Sequence, residues 1–138
     1  MNLIVDIGNS SVKLAVFEKQ TLTFLHREKA NDLERSVLEI LNRFPKIEQI
    51  FVASVAAFDS SHFSKIFSSH KLLFLNSKSK FPFKNLYQTP ETLGPDRMAL
   101  VAAAVCKYPN QNVLIIDAGT CITYDFIDAK SNYYGGAI

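Results

Sequence analysis

The sequence is poor in the residues that staple a chain, anchor it or connect it loosely. Two cysteines, Cys106 and Cys121, lack paired spacing, so neither a disulfide framework nor a zinc site is expected. That usage fits a reducing compartment. A strand-like run directly after Met1 gives no sign of a signal peptide, and a cytoplasmic location is expected. No apolar run approaches the roughly 20 residues of a membrane-spanning helix, and no membrane partner is expected. An excess of one charge is missing too. Fifteen Lys and Arg against 13 Asp and Glu leave a net charge of +2, too little to point to nucleic acid. The loose basic group Lys78, Lys80 and Lys84 reads as a solvated loop, and His26, His62 and His70 fall in no metal-ligand pattern. Neither Gly-x-x-x-x-Gly-Lys-Ser/Thr nor Gly-x-Gly-x-x-Gly occurs, so both common glycine-rich phosphate cradles are excluded.

What is present suits a globular protein: 138 residues, 48% apolar and 20% charged, enough for a sizeable core. Glycine is scarce, and all five residues (Gly8, Gly94, Gly119, Gly135 and Gly136) fall in short segments that read as motifs. Apolar runs over 2–7, 12–17 and 21–26 predict an antiparallel meander. Leu33, Val37, Ile40, Leu41 and Phe44 mark a helix over 32–44, with Asn31 or Asp32 as N-cap and Pro45 as stop. Strands are predicted over 47–55 and 72–75, with a short helix over 60–69 between them. Residues 81–92 carry two prolines and read as an irregular loop. Residues 95–108 predict a helix with Pro95 at its first position, and Cys106, in its apolar run, is expected in the core. Strands over 112–116 and 121–127 follow, then a turn around Ser131 and a short last segment.

Part of this pattern occurs twice. Leu3-Ile4-Val5-Asp6-Ile7-Gly8 returns as Leu114-Ile115-Ile116-Asp117-Ala118-Gly119, and Val12–Phe17 returns as Ile122–Ile127 with the turn one residue shorter. A repeat at about one domain's length indicates duplication rather than a solenoid. The expected organisation is a first domain over 1–111 and the start of an incomplete second over 112–138. The chemistry of such a hairpin follows from its parts. A glycine turn offers backbone N–H groups and short hydroxyls to phosphate oxygens, and a carboxylate at the strand end can hold a cation. Two hairpins facing each other could clamp a nucleotide. Further on, Asp96 and Arg97 open a helix, whose free N–H groups favour an anion.

The motifs resemble those of a known family. Asp6-Ile7-Gly8-Asn9-Ser10-Ser11-Val12-Lys13 is similar to the Asp-x-Gly-Asn-Thr-x-x-Lys phosphate motif of type III pantothenate kinases. Gly94-Pro95-Asp96-Arg97 is similar to their Gly-x-Asp-Arg motif, and Asp117-Ala118-Gly119-Thr120 to their second phosphate motif. Tyr87 stands where that family has a substrate-contacting tyrosine. The resemblance runs from Met1 to Ile138, with the motifs in the family's order.

The resemblance implies an α/β fold of the ribonuclease H-like, actin-like ATPase class. A mixed sheet flanked by helices would be followed by the first strands of a duplicated second domain. It implies ATP-dependent phosphorylation of pantothenate to 4'-phosphopantothenate, the first step of coenzyme A biosynthesis. Asp6, Ile7, Gly8, Asn9, Ser10, Ser11, Val12 and Lys13, with Thr120, would bind ATP. Asp6 would also lie near Mg2+, and Asp117 would help hold a monovalent cation, K+ or NH4+. Asp96 would be the catalytic base, and Tyr87, Gly94, Pro95, Asp96 and Arg97 would bind pantothenate, the arginine suiting its carboxylate. The family is dimeric, so a homodimer is expected.

Ser10 replaces the motif's threonine and keeps the hydroxyl; Pro95 and Cys121 fall at variable or small-residue positions. The family continues beyond the position of Ile138 into the rest of its second domain, which carries the adenosine contacts. The 138-residue chain alone is therefore expected to turn over little or no substrate. Two other readings are a different small-molecule kinase of the superfamily, such as a sugar kinase, and a non-catalytic regulatory or dimerisation module.

Overall fold

The computed structural model describes residues 1–29, 32–119 and 121–138. They form two compact units, Met1–Leu75 and Asn76–Ile138. No helix among the described residues is long and apolar enough to cross a membrane.

The first unit runs β1 Asn2–Ile7, β2 Val12–Glu18, β3 Thr21–Glu28, α1 Leu33–Arg43, β4 Gln49–Ser54, α2 Ser60–Ile66 and β5 Lys71–Phe74. Its sheet has the order β3-β2-β1-β4-β5. The short turns make β1, β2 and β3 antiparallel neighbours. β4 lies parallel to β1, and β5 parallel to β4. Parallel pairing needs a crossover, and α1 and α2 lie in the connections that lead to β4 and β5. Period-two alternation places Leu3, Val5 and Ile7 of β1, Val12, Leu14 and Val16 of β2, and Ile50 and Val52 of β4 in the core. Leu33, Val37 and Ile40 of α1 join them at helical spacing, as do Phe63 and Phe67. Asp59 caps α2, its carboxylate accepting from the N–H groups of Ser61 and His62 at 3.0 and 2.9 Å. Asp32 precedes α1 without a side-chain cap bond, and Asn31 lies outside the described residues.

The second unit contains β6 Lys84–Asn85, a 3-10 turn Pro90–Thr92, α3 Pro95–Lys107, β7 Val113–Ala118, β8 Ile122–Ile127 and β9 Asn132–Ala137. Its sheet order is β6-β9-β8-β7. The irregular loop expected over 81–92 is corrected by two short elements. Lys84 and Asn85 pair parallel with Asn132 and Tyr133, and Pro90 opens the 3-10 turn. Cys106, expected in the core, is exposed. The buried stripe of α3 follows Met98, Val101 and Ala104, and Cys106 falls off it.

The two hairpins agree in register. Asp6 faces Lys13 as Asp117 faces Thr123, and Asn2 faces Phe17 as Val113 faces Ile127. Both turns close with a glycine N–H donating to a carbonyl, Gly8 to Ser11 and Gly119 to Cys121, each at 3.0 Å. The residue missing from the second copy is therefore lost from the turn, not from a strand.

The sheets bury opposite faces. Leu3 and Val5 are 0% exposed, but their counterparts Leu114 and Ile116 are 60% and 58% exposed. In the second unit α3 packs with Val113, Ile115, Ile127 and Tyr133, leaving Leu114, Ile116, Ile122, Tyr124, Phe126 and Tyr134 open. Among the described residues, β7 also has an unpaired edge. An apolar face beside an open edge drives association. The 138-residue chain should elute above monomer size in gel filtration and bind a hydrophobic dye. The Leu114→Lys, Ile116→Lys double variant should move it towards a monomer with unchanged helicity. A wild-type chain that stays monomeric and binds no dye would contradict this.

Candidate active site

The first hairpin gathers charge at its mouth. Lys13 Nζ stands 3.1 Å from Asp6 Oδ2, both side chains being partly exposed. Arg27 lies opposite Lys13 on β3 and donates from Nε to Ser11 Oγ at 3.0 Å. Two cations thus flank the turn over residues 8–11, and the second had no sequence signal because only strand register brings it there. The Gly8 N–H, expected to face phosphate, is instead taken by the Ser11 carbonyl. The side chains of Ile7 and Val12 lie in the core, so only their backbones are available to a ligand. Asn9 and Ser10 are exposed at the tip.

In the second hairpin Asp117 is exposed at the end of β7, and Thr120 lies outside the described residues. No group of three His, Cys, Asp or Glu side chains that could hold a metal ion occurs among the described residues. A cation at Asp6 or Asp117 would therefore rest on one carboxylate completed by carbonyls, water or ligand phosphates. Magnesium sites are commonly built that way.

The third cluster surrounds the start of α3. Gly94 caps the helix in extended conformation, Pro95 takes its first position, and Asp96 Oδ1 accepts the Arg97 N–H at 2.8 Å. The Arg97 guanidinium turns to β8. Its Nε reaches Asp125 Oδ1 and Oδ2 at 3.2 and 3.0 Å, and Nη2 reaches Oδ1 at 2.6 Å. The Tyr133 hydroxyl donates to the same Oδ1 at 2.6 Å. Arg97, Asp125 and Tyr133 are 8%, 1% and 0% exposed. The hydrogen bond to Asp125 raises the Arg97 pKa against the opposing effect of burial. Burial, and then the bond to Asp125, push the Tyr133 hydroxyl upward, so it keeps its proton.

Tyr87 completes this cluster. Its ring packs against the same core cluster as Tyr133. Its ring lies across Gly135, where a Cβ would stand 2.2 Å from Tyr87 Cδ2. The sequence-predicted Tyr87 thus shares a cluster with Tyr133, which with Arg97 bonds Asp125, and the roles of Asp125 and Tyr133 were missed. Asp125 carried no signal, because the alternation of Ile122, Tyr124 and Phe126 marks the opposite face as apolar, yet the structure buries Thr123, Asp125 and Ile127. Tyr133 reads like any core aromatic.

The profile of the type III pantothenate kinase family matches residues 2–138. The chain is 46% identical to a type III pantothenate kinase of Flavobacterium johnsoniae and 46% identical to one of Christiangramia forsetii, each over 138 residues. Each alignment covers 100% of this chain and 57% of the relative, so the chain spans little more than half the length of these curated relatives. Among solved structures, a Sinorhizobium meliloti protein assigned as a 2-dehydro-3-deoxygalactonokinase matches with a TM-score of 0.58 at 12% identity, covering 99% of this chain and 52% of that one. That likeness shows the fold, which is the actin-like ATPase fold. With a match over nearly all its residues and the family's motifs in place along it, the chain belongs to the type III pantothenate kinase family.

Proposed function

We propose that this chain supplies the pantothenate contacts and the first phosphate contacts of an ATP-dependent kinase. The whole enzyme would convert pantothenate to 4'-phosphopantothenate, the first step of coenzyme A biosynthesis. The observation that carries this reading is the Arg97 guanidinium held by Asp125 and Tyr133, with Tyr87 packed on the same cluster as Tyr133, in a chain that matches the family along its length. An arginine held in a fixed orientation suits the pantothenate carboxylate. Tyr87, Gly94 and Pro95 would shape the rest of that subsite.

Asp96 is the proposed base. It takes the proton of the attacking hydroxyl as the new O–P bond forms and ADP departs. Lys13 and Arg27 would neutralise phosphate charge, with the backbone from Ile7 to Val12, the polar groups of Asn9, Ser10 and Ser11, and the Thr120 hydroxyl as further ATP contacts. Phosphate competes with Asp6 for Lys13, which leaves the Asp6 carboxylate available to a cation. Bound Mg2+ would neutralise the charge of the transferring phosphoryl group. Asp117 is the proposed partner of K+ or NH4+.

We further propose that the repeat reflects a domain duplication, with a first domain over 1–111 and the start of an incomplete second over 112–138, and that the whole enzyme is a cytoplasmic homodimer. The sugar-kinase reading has weaker support, because solved neighbours of that kind share 13%, 10% and 12% identity against 46% for the pantothenate kinases.

The test uses a full-length enzyme, residues 1–138 joined to the remaining segment of the Flavobacterium relative. With ATP, Mg2+, K+ and pantothenate it should yield 4'-phosphopantothenate. Turnover of sugars without pantothenate, or of neither, would overturn the assignment.

A further inference from the structure

We propose that Asp125, braced by Tyr133, is the positioning residue that presents Arg97 to the substrate's carboxylate. Through this contact the enzyme would distinguish an acid from its uncharged analogue. The proposal rests on the reading of Arg97 as the carboxylate contact.

The geometry divides the guanidinium into two edges. Asp125 engages it side-on, through Nε and Nη2. Nη1 and the second proton of Nη2 remain for an end-on partner. Nη1 has no hydrogen bond among the described residues, and it is not among their buried unsatisfied atoms, so it keeps access to solvent. A guanidinium carries five donors in a rigid fork, and engaging one edge fixes the direction of the other. The support behind Asp125 is rigid. Its backbone pairs with Gly136 across the β8–β9 ladder, and its Oδ1 accepts from Tyr133, whose ring packs edge-on against Phe83 at 5.6 Å.

Charge favours the same role. A buried arginine without a counter-ion would attract any anion, nucleotide phosphates included. Paired with Asp125, the cluster is close to neutral, so an entering anion is selected by the direction of the free N–H groups more than by net charge. Asp125 and Tyr133 themselves touch no ligand in this scheme, since their polar atoms point at Arg97 and at each other.

The experiment compares pantothenate with its primary amide, which lacks the negative charge, in the full-length enzyme described above. Asp125→Asn should raise KM for pantothenate about tenfold, leaving kcat and the KM values for the amide and ATP within about twofold. Tyr133→Phe keeps the ring and removes one hydrogen bond. It should shift the same KM about threefold, and it carries the test if Asp125→Asn does not fold. Arg97→Met should abolish the preference for acid over amide. If the Asp125 and Tyr133 variants affect acid and amide alike, or neither, while Arg97→Met abolishes the preference, the positioning role is wrong and the Arg97 assignment stands. If Arg97→Met leaves the preference intact, the carboxylate contact itself is misassigned and the proposal falls with it.

Discussion

Replacing Asp96 with asparagine should lower kcat for pantothenate phosphorylation about 10³-fold in the full-length enzyme, with both KM values within about threefold. Asparagine keeps the oxygen that accepts the Arg97 N–H at 2.8 Å, so the first turn of α3 retains its local hydrogen bond. It loses the ability to take a proton. The substitution also removes a negative charge from the N-terminal turn of α3, which costs about 0.5 kcal/mol of stability. A 10³-fold rate loss corresponds to about 4 kcal/mol in the transition state, so the chemical effect outweighs the structural one by nearly an order of magnitude. Thermal unfolding and steady-state kinetics on the same preparation separate the two. A melting temperature lowered by no more than a few degrees with collapsed kcat identifies the base. A kcat near that of the wild type would assign proton removal elsewhere.

The first unit was legible in the sequence because its signals are local. The apolar runs over 2–7 and 12–17 are joined by a short turn, so the hairpin follows, and the structure adds its register and the buried face of Leu3, Val5, Ile7, Val12, Leu14 and Val16. The repeated Asp6 and Asp117 were visible for the same reason, and their hairpins agree in register. What stayed hidden depends on contacts between residues distant in sequence. β6 is only two residues long, too short for any alternation to show, and it exists because Tyr133 and Asn132 are beside it. Arg27 reaches Ser11 only through the β2–β3 register. The chain names Asp96 and Arg97 as neighbours, and from sequence the arginine's charge could have stayed beside Asp96. Packing instead sends it to Asp125, 28 positions further along. Which face of the strands over 113–137 stays open was equally unreadable, because the same alternation is buried in one copy and open in the other. Periodicity tells that a face is apolar, not what lies against it.

Gly136→Ala should prevent the second unit from folding, whereas Gly135→Ala should fold with its substrate subsite displaced. The difference lies in what each new methyl group meets. At position 136 a Cβ would stand 1.5 Å from the Tyr124 carbonyl oxygen and 2.5 Å from its carbon. Backbone cannot swing aside, so β8 and β9 would have to separate at the Asp125–Gly136 pair, removing the support of Asp125. A clash of this kind costs about 4 kcal/mol or more, a large part of a small unit's stability. At position 135 the φ of 89° costs alanine about 1–3 kcal/mol. The nearest atom there is Tyr87 Cδ2 at 2.2 Å, the side of a ring that can rotate away. Gly135→Ala should therefore raise KM for pantothenate in the full-length enzyme, and its effect should shrink when Tyr87 is already alanine. The residual in the Tyr87→Ala background measures backbone strain alone, and the difference between backgrounds measures the contact. A coupling of about 1 kcal/mol or more is expected for residues in direct contact. Additive effects would mean that Gly135 is required only for its backbone conformation, and that Tyr87 does not depend on it for its place.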